Sequence, residues 1–85
     1  MSGYKIIIEK PAEKFIKKLP RNEQERVLQA IYRLPIEGDI KPLKGHTGLL
    51  GLRVGQYRII YTVDNGELVV YVIDAGNRGQ IYNDY

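Results

Sequence analysis

The sequence contains no cysteine and only one histidine among its 85 residues. Without cysteine there is neither a disulfide framework nor a thiolate zinc site, and one histidine does not favour a histidine-based metal site. No apolar run is long enough to span a bilayer, and the first residues do not have the form of a secretory signal. These absences predict a cytoplasmic protein with neither a metal site nor a membrane segment.

The composition is that of a globular protein rather than a disordered chain, with 44% hydrophobic and 27% charged residues. A chain of this length predicts one small domain, residues 1–85, with a marginal core. The formal net charge of +3 is compatible with a nucleic acid partner but does not require one.

The rest of the chain is organised around the stretch from Leu49 to Asp74, which predicts two consecutive β-hairpins, a three-strand meander. Gly55-Gln56 suits a two-residue type II′ turn, and Asn65-Gly66 is a strong hairpin signal. Because two-residue turns fix the register, partners follow by counting. The predicted pairs are Val54–Tyr57, Arg53–Arg58, Leu52–Ile59, Val63–Leu68, Tyr61–Val70, Ile59–Val72, Arg58–Ile73 and Tyr57–Asp74.

Side chains alternate between the two faces of a sheet, so this register predicts one apolar face and one mixed face. The apolar face consists of Leu50, Leu52, Ile59, Tyr61, Val63, Leu68, Val70 and Val72. On the mixed face Arg53 and Arg58 lie opposite each other, and like charges in that position destabilise a sheet. A bound polyanion would relieve the repulsion; alternatively, the two side chains extend into water or pair with Asp74 or Asp84.

Upstream of the meander, Tyr4 to Glu9 predicts a first strand, and two amphipathic helices follow. The first begins at Lys10-Pro11 and ends at Pro20; the second begins near Asn22, which forms a capping-box pair with Glu25. The short link predicts an antiparallel helical hairpin that covers the apolar face. The expected class is α+β: an N-terminal strand, two helices and an antiparallel three-strand meander, with the helices on one face of a small twisted sheet.

Two further segments bring polar side chains to the sheet. Residues 36–48 read as a loop that carries Lys41 and Lys44 to one edge, where Lys44 is the better candidate for a phosphate contact. After the meander, a turn at Gly76-Asn77 brings Arg78 and then Tyr82 close to Arg53 and Arg58. Three arginines and a tyrosine from three segments thus converge on one end of the mixed face, which predicts a functional site.

The order of elements and three motifs resemble the RelE/ParE toxin superfamily, and its RelE-like branch in particular. The motifs are Lys41-Pro42-Leu43-Lys44-Gly45, Leu52-Arg53-Val54-Gly55-Gln56-Tyr57-Arg58, and Gly76-Asn77-Arg78 with Ile81-Tyr82. The resemblance implies the toxin of a type II toxin–antitoxin pair. Its implied partners are a RelB-like antitoxin, the ribosome and messenger RNA, and operator DNA through the antitoxin.

The RelE-like branch implies an endoribonuclease that cuts messenger RNA in the ribosomal A site without a metal or other cofactor. The RNA 2′-hydroxyl attacks the adjacent phosphate. By resemblance, Arg58 stabilises transition-state charge, Arg78 clamps the phosphate or donates a proton, and Tyr82 stacks on a base or transfers a proton. Lys41, Lys44 and Arg53 would hold the RNA backbone.

The match has departures, and these leave two alternatives open. Asn77 stands where many relatives have histidine, and Leu49 and Gly51 stand where some carry lysine. The alternatives are a ParE-like inhibitor that binds DNA gyrase and cuts nothing, and a degenerate toxin that acts as a module binding antitoxin and operator. The resemblance also predicts that the sheet is open near Ile60, Tyr71 and Ile73 as an antitoxin-docking surface.

Overall fold

A strand, a helical hairpin and a strand meander follow one another as predicted, and the α+β class is confirmed. The structure, a computed structural model, describes residues 3–81. Its elements are β1 (Lys5–Ile8), α1 (Lys10–Lys17), α2 (Arg21–Tyr32), β2 (Asp39–Pro42), β3 (Leu50–Val54), β4 (Tyr57–Asp64), β5 (Val69–Asn77) and α3 (Arg78–Ile81). The strands form one sheet in the order β1-β5-β4-β3-β2, in which β1 is parallel to β5 and the other pairs are antiparallel.

The main core lies between the helical hairpin and the predicted apolar face. Gln24 of α2 links the two helices, because its Nε2 donates to the carbonyl oxygens of Lys17 (3.1 Å), the last residue of α1, and of Leu19 (2.9 Å) just after it. None of the helices described within residues 3–81 is long and apolar enough to cross a bilayer. The buried core residues are Ala12, Ile16, Val27, Ile31, Leu34, Leu52, Val54, Tyr57, Ile59, Tyr61, Val70, Val72 and Ala75.

The start of α2 differs from the prediction. The helix begins at Arg21, and no side chain caps it. The carbonyl of Pro20 already accepts the N–H groups of Glu23 and Gln24, each at 2.9 Å, so the first turn forms before Asn22 could act as a cap. Glu25 lies 3.7 Å from Arg21 Nε in an i,i+4 ion pair instead of completing a capping box.

The segment predicted as a loop contains the edge strand β2. It pairs with β3 from Asp39 opposite Arg53 to Pro42 opposite Leu50. Its sequence, Asp-Ile-Lys-Pro, has one apolar residue and ends in proline, which is a composition suited to an edge where one side has no partner. A strand of four residues is too short to show a periodic pattern. Its pairing depends on β3 rather than on its own sequence.

The first hairpin has the predicted register, and Gly55 takes the positive φ (+59°) that a type II′ turn requires. The second hairpin does not. Its turn spans residues 65–68 between the pair Asp64–Val69, and the Asp64 carboxylate accepts the N–H groups of Gly66 and Glu67, each at 3.0 Å. These bonds, that of Glu67 foremost, lower the pKa of Asp64. Leu68 has φ +57° and is 48% exposed, so it leaves the predicted core.

A β-bulge adds a second shift to the same hairpin. Val63 pairs with Val70 and Tyr61 with Val72, but Ile60 pairs with Asp74, so Ile73 has no opposite residue. Between the turn and the bulge, the observed register differs from the predicted one by two residues, so the same side chains face the core. After the bulge, the predicted partners of Arg58 and Tyr57 are wrong: these residues lie opposite Gly76 and Asn77 instead of Ile73 and Asp74.

A second, small core lies on the other face of the sheet. It includes α3, which follows β5 where the sequence predicted a turn at Gly76-Asn77. The strand β5 continues through Asn77, and α3 follows at once. Ile81 of α3 packs with Leu43 and Ile60, beside Leu49. Ile60 is therefore only 1% exposed, and the prediction of an open docking surface at this residue is wrong.

The buried Tyr61 hydroxyl makes the stability of the fold sensitive to high pH. Burial raises its pKa from 10.0 to about 12, since a phenolate would lose its hydration. The stabilisation is complete below pH 10 and is lost as the pH rises from 10 towards 12, because the unfolded chain releases the proton first. We expect Tyr61→Phe to remove this part of the alkaline destabilisation, as measured by urea unfolding from neutral pH to about pH 12.

Tyr32→Phe is the matched control, since Tyr32 is 61% exposed. Its alkaline profile should follow that of the unmodified protein. If the Tyr61→Phe variant lost as much unfolding free energy at high pH as the unmodified protein, the assignment to the Tyr61 hydroxyl would be contradicted.

Candidate functional site

The sheet face that points away from α1 and α2 carries a row of predicted site residues, and we call this face the arginine face. The pairings Asp39–Arg53, Arg53–Arg58 and Arg58–Gly76 join four neighbouring strands at one level. Directly opposed residues share a face, so the side chains of Asp39, Arg53 and Arg58 all belong to the arginine face. The predicted opposition of Arg53 and Arg58 is confirmed, and Asp39 extends the row.

Arg53 is an ion-paired residue. Its Nε and Nη2 both lie 2.6 Å from Asp39 Oδ2, which offsets the repulsion between the two opposed arginines. The sequence offered Asp74 and Asp84 as partners; the carboxylate instead comes from the undetected strand β2, and Asp84 lies outside the described residues. Arg53 is still 40% exposed, so its side chain has a solvent-facing part.

Arg58 is the buried cation of the arginine face, with only 4% of its surface exposed. Its guanidinium lies across β3 at Gly51: a Cβ added at Gly51 would be 2.5 Å from Arg58 Nη1 and 2.9 Å from its Cδ. The absence of a side chain at Gly51 therefore creates the space that Arg58 occupies. A guanidinium held with little surrounding water interacts more strongly with an approaching anion than an exposed one does.

Arg78 reaches the same end of the sheet by a route that was not predicted. It is the first residue of α3, directly after the pair Tyr57–Asn77 that closes the β4–β5 ladder. Its N–H donates to the carbonyl of Gln56 at 2.9 Å, which fixes the helix start on the β3–β4 turn. Its Nε is buried and has no hydrogen-bond acceptor within residues 3–81. This position agrees with the prediction that Arg78 lies at the end of the sheet that carries Arg53 and Arg58, but the predicted turn and register that were to bring it there are wrong.

The two lysines occupy different parts of the site. Lys41 lies opposite Gly51 in the β2–β3 pair, which places it on the arginine face at the level of the Arg58 guanidinium. Lys44 is exposed in the loop that begins with the hydrogen bond from Leu43 N–H to the Leu49 carbonyl (3.1 Å). The predicted Tyr82 lies outside the described residues.

Sequence analysis missed two residues that shape the site, Asp39 and Gly51. A glycine within a strand often marks a place where another group approaches closely, and this signal could have identified Gly51. Asp39 had no comparable signal, because β2 itself was not detected. Within residues 3–81, no group of three His, Cys, Asp or Glu side chains is placed to hold a metal ion.

The comparison with protein families decides the affiliation. The family model of the ParE toxin of type II toxin–antitoxin systems matches residues 6–82. The chain belongs to this toxin family. A comparison with curated proteins finds no match.

Solved structures place the toxin beside RelE proteins. The RelE–RelB complex of Pyrococcus horikoshii is 27% identical, with a TM-score of 0.73, over 94% of this chain and 99% of that one. RelBE2 of Mycobacterium tuberculosis is 25% identical, with a TM-score of 0.75, over 88% and 98%. The intact RelBE complex of Escherichia coli is 26% identical, with a TM-score of 0.71, over 88% and 96%. The RelE/ParE affiliation and the RelE-like fold are confirmed.

Gly51→Ala tests whether the position of Arg58 matters for toxicity. The new methyl group would lie 2.5 Å from Nη1, so the guanidinium has to leave its place while the backbone has no need to change. We expect a folded protein in which the NMR signal of the Arg58 Nε–H group moves and growth arrest in bacteria is lost or strongly reduced.

Gly66→Ala is the matched control, because a Cβ at Gly66 meets its nearest atom at 3.4 Å and the residue lies at the opposite end of β4. It should arrest growth as the unmodified toxin does. Full growth arrest by Gly51→Ala with a displaced guanidinium would show that toxicity does not depend on where Arg58 lies.

Proposed function

We propose that this toxin is a ribosome-dependent endoribonuclease that cuts messenger RNA in the A site. The 2′-oxygen of the RNA loses its proton and forms a bond to the adjacent phosphorus, the bond from phosphorus to the 5′-oxygen breaks, and that oxygen takes up a proton. The products are a cyclic 2′,3′-phosphate and a 5′-hydroxyl end. The observation that carries the proposal is the desolvated Arg58 guanidinium over Gly51, with further cations around it.

Arg58 suits the role of stabilising the transition state. Negative charge builds on the non-bridging phosphate oxygens as the 2′-oxygen attacks, and a donor that is already fixed and desolvated does not need to reorganise. The guanidinium fork also matches two phosphate oxygens at once. A lysine would offer only a point charge in the same space.

The other cations would bind and orient the RNA. Arg78, fixed on the β3–β4 turn through its N–H group, is placed to clamp the phosphate or to protonate the leaving oxygen. Lys41, at the level of the Arg58 guanidinium, and the exposed Lys44 would contact the backbone on either side. Arg53 would contact the RNA backbone through the exposed part of its side chain, while its Nε and Nη2 stay bonded to Asp39. Tyr82 is proposed as the group that stacks on a base or transfers a proton.

The partners follow from the same proposal. The relatives from P. horikoshii, M. tuberculosis and E. coli were solved as toxin–antitoxin complexes with RelB-type proteins. We propose a RelB-like antitoxin for this toxin, with binding to operator DNA through that antitoxin. The ribosome and its messenger RNA are the proposed targets.

Two alternative functions predict different experimental outcomes. The matching family model carries the ParE name, which keeps a gyrase inhibitor that cuts no RNA in consideration. Asn77, where many relatives have histidine, keeps a degenerate toxin in consideration. Neither alternative requires a buried cation on the arginine face.

Mapping RNA 5′ ends after induction separates the three functions. We expect new 5′-hydroxyl ends inside translated frames, and their loss when translation is blocked, because the proposed enzyme acts in the A site. Growth arrest with a DNA-damage response and no such ends would favour gyrase. Absence of any arrest would favour the degenerate toxin.

Arg58→Ala should reduce RNA cleavage by about 10²- to 10³-fold, the usual cost of removing one donor to a transition-state oxyanion. Because Arg58 is buried, a thermal unfolding measurement beside the cleavage assay is needed to show that the Arg58→Ala variant is folded. Arg58→Lys keeps the charge but loses the fork, and we expect it to remain well below the unmodified toxin.

Arg21→Ala is the control, since it removes an arginine with a 93% exposed side chain at the start of α2, on the other side of the sheet from the arginine face. Its cleavage should match that of the unmodified toxin. Cleavage by a folded Arg58→Ala variant at the full rate would sink the catalytic assignment of Arg58.

A further inference from the structure

A cavity of about 210 Å³ with both polar and apolar walls lies beside the last residues of β5, next to Arg78. It is lined by Phe15 of α1, by residues 74–77 of β5 and by Gln80 and Ile81 of α3. It is smaller than the roughly 300–1,000 Å³ of pockets for drug-sized ligands. Its size therefore suits one flat ring system better than a whole nucleotide.

The cavity exists because β5 is longer than its neighbour β1. The two strands pair only from Lys5–Val69 to Ile8–Val72, and no strand within residues 3–81 pairs with this edge of β5 beyond Val72. The Ala75 N–H accordingly bonds to the Asp74 carboxylate (Oδ1, 2.8 Å). The edge of β5 beyond Val72 thus lies along the cavity, between α1 and α3.

Two carboxamides give the cavity its hydrogen-bonding capacity. Asn77 Nδ2 donates to Gln80 Oε1 over 3.5 Å, a long bond that a better partner could replace. Each carboxamide presents a donor and an acceptor side by side, which is the pattern that binds adenine through N6 and N7. Phe15 adds an aromatic surface, and its ring is fixed by edge-to-face packing on Tyr57 at 5.8 Å.

The position relative to the arginines identifies the occupant. Gly76, in the cavity wall, lies opposite Arg58, and Arg78 directly follows Asn77. A nucleotide whose phosphate is held by Arg78 would have its base within reach of the cavity. Bases of single-stranded RNA are commonly recognised in this way, by stacking on an aromatic ring and by hydrogen bonds to their edges.

We propose that this cavity binds a nucleobase of the RNA next to a phosphate held at Arg78, with adenine as the best match, and that Asn77 and Gln80 read its edge. The proposal rests on the proposed RNA-binding function and names the part of the substrate that the site selects. It also assigns a role to Asn77, whose amide serves recognition in place of the acid–base chemistry of a histidine.

NMR titration of the ¹⁵N-labelled full chain separates base recognition from phosphate binding. Adenosine 5′-monophosphate and ribose 5-phosphate carry the same phosphate, so both should shift the Nε–H signals of Arg58 and Arg78. Only the nucleotide should shift the side-chain amides of Asn77 and Gln80. We expect it to bind about tenfold more tightly, the size of one stacked or bidentate base contact.

Gln80→Ala should lose the base-dependent shifts at Asn77 and most of the tenfold preference. Gln29→Ala, which removes an exposed glutamine from α2, should keep both. Equal shifts and equal affinities for the two ligands would overturn the base pocket and leave the phosphate site intact. Base-dependent shifts at Gln80 with no response at either arginine would support the pocket and contradict the phosphate assignment.

Discussion

Ile60 and Tyr61 are consecutive on β4, but their partners on β5, Asp74 and Val72, are separated by Ile73. This bulge decides what stands beside Arg58. With a regular ladder, β5 would present a different residue at every position beyond Val72, and Gly76 would not lie at the level of the arginine row. Bulges commonly re-aim side chains next to functional sites, because one extra residue rotates the strand that follows it. The start of α3, and with it Arg78, depends on the same shift.

The burial of Arg58 is a cost that the rest of the fold has to offset. Removing an ion from water costs several kcal/mol even after relaxation, and a domain of this size has little stability to spare. A position chosen for stability alone would hold an apolar side chain here, as Ile60 does two residues later. The site is therefore a place where the requirements of folding and of charge recognition differ. Gly51 makes the burial possible by providing the space that the guanidinium occupies.

The parts of the fold that the sequence predicted are those set by local patterns. The apolar stripes of α1 and α2, and the Gly55 turn, act over a few residues and fix their own geometry. The parts that were wrong depend on distant partners. Asn65-Gly66 is a strong hairpin signal, but the Asp64 carboxylate caps the following N–H groups and favours a four-residue turn. The strand β2 exists through its pairing with β3, so Asp39 as the partner of Arg53 could not be derived from the local sequence.

The close contact between Gly51 and Arg58 changes how differences between related sequences should be interpreted. A long side chain at position 51 and the observed guanidinium need the same volume and exclude each other. A relative with lysine at the corresponding position would have to direct its arginine elsewhere, and the lysine would take over the vacated space. Glycine in place of lysine at position 51 is then an exchange of one cation for another, because the arginine of the adjacent strand occupies the same space.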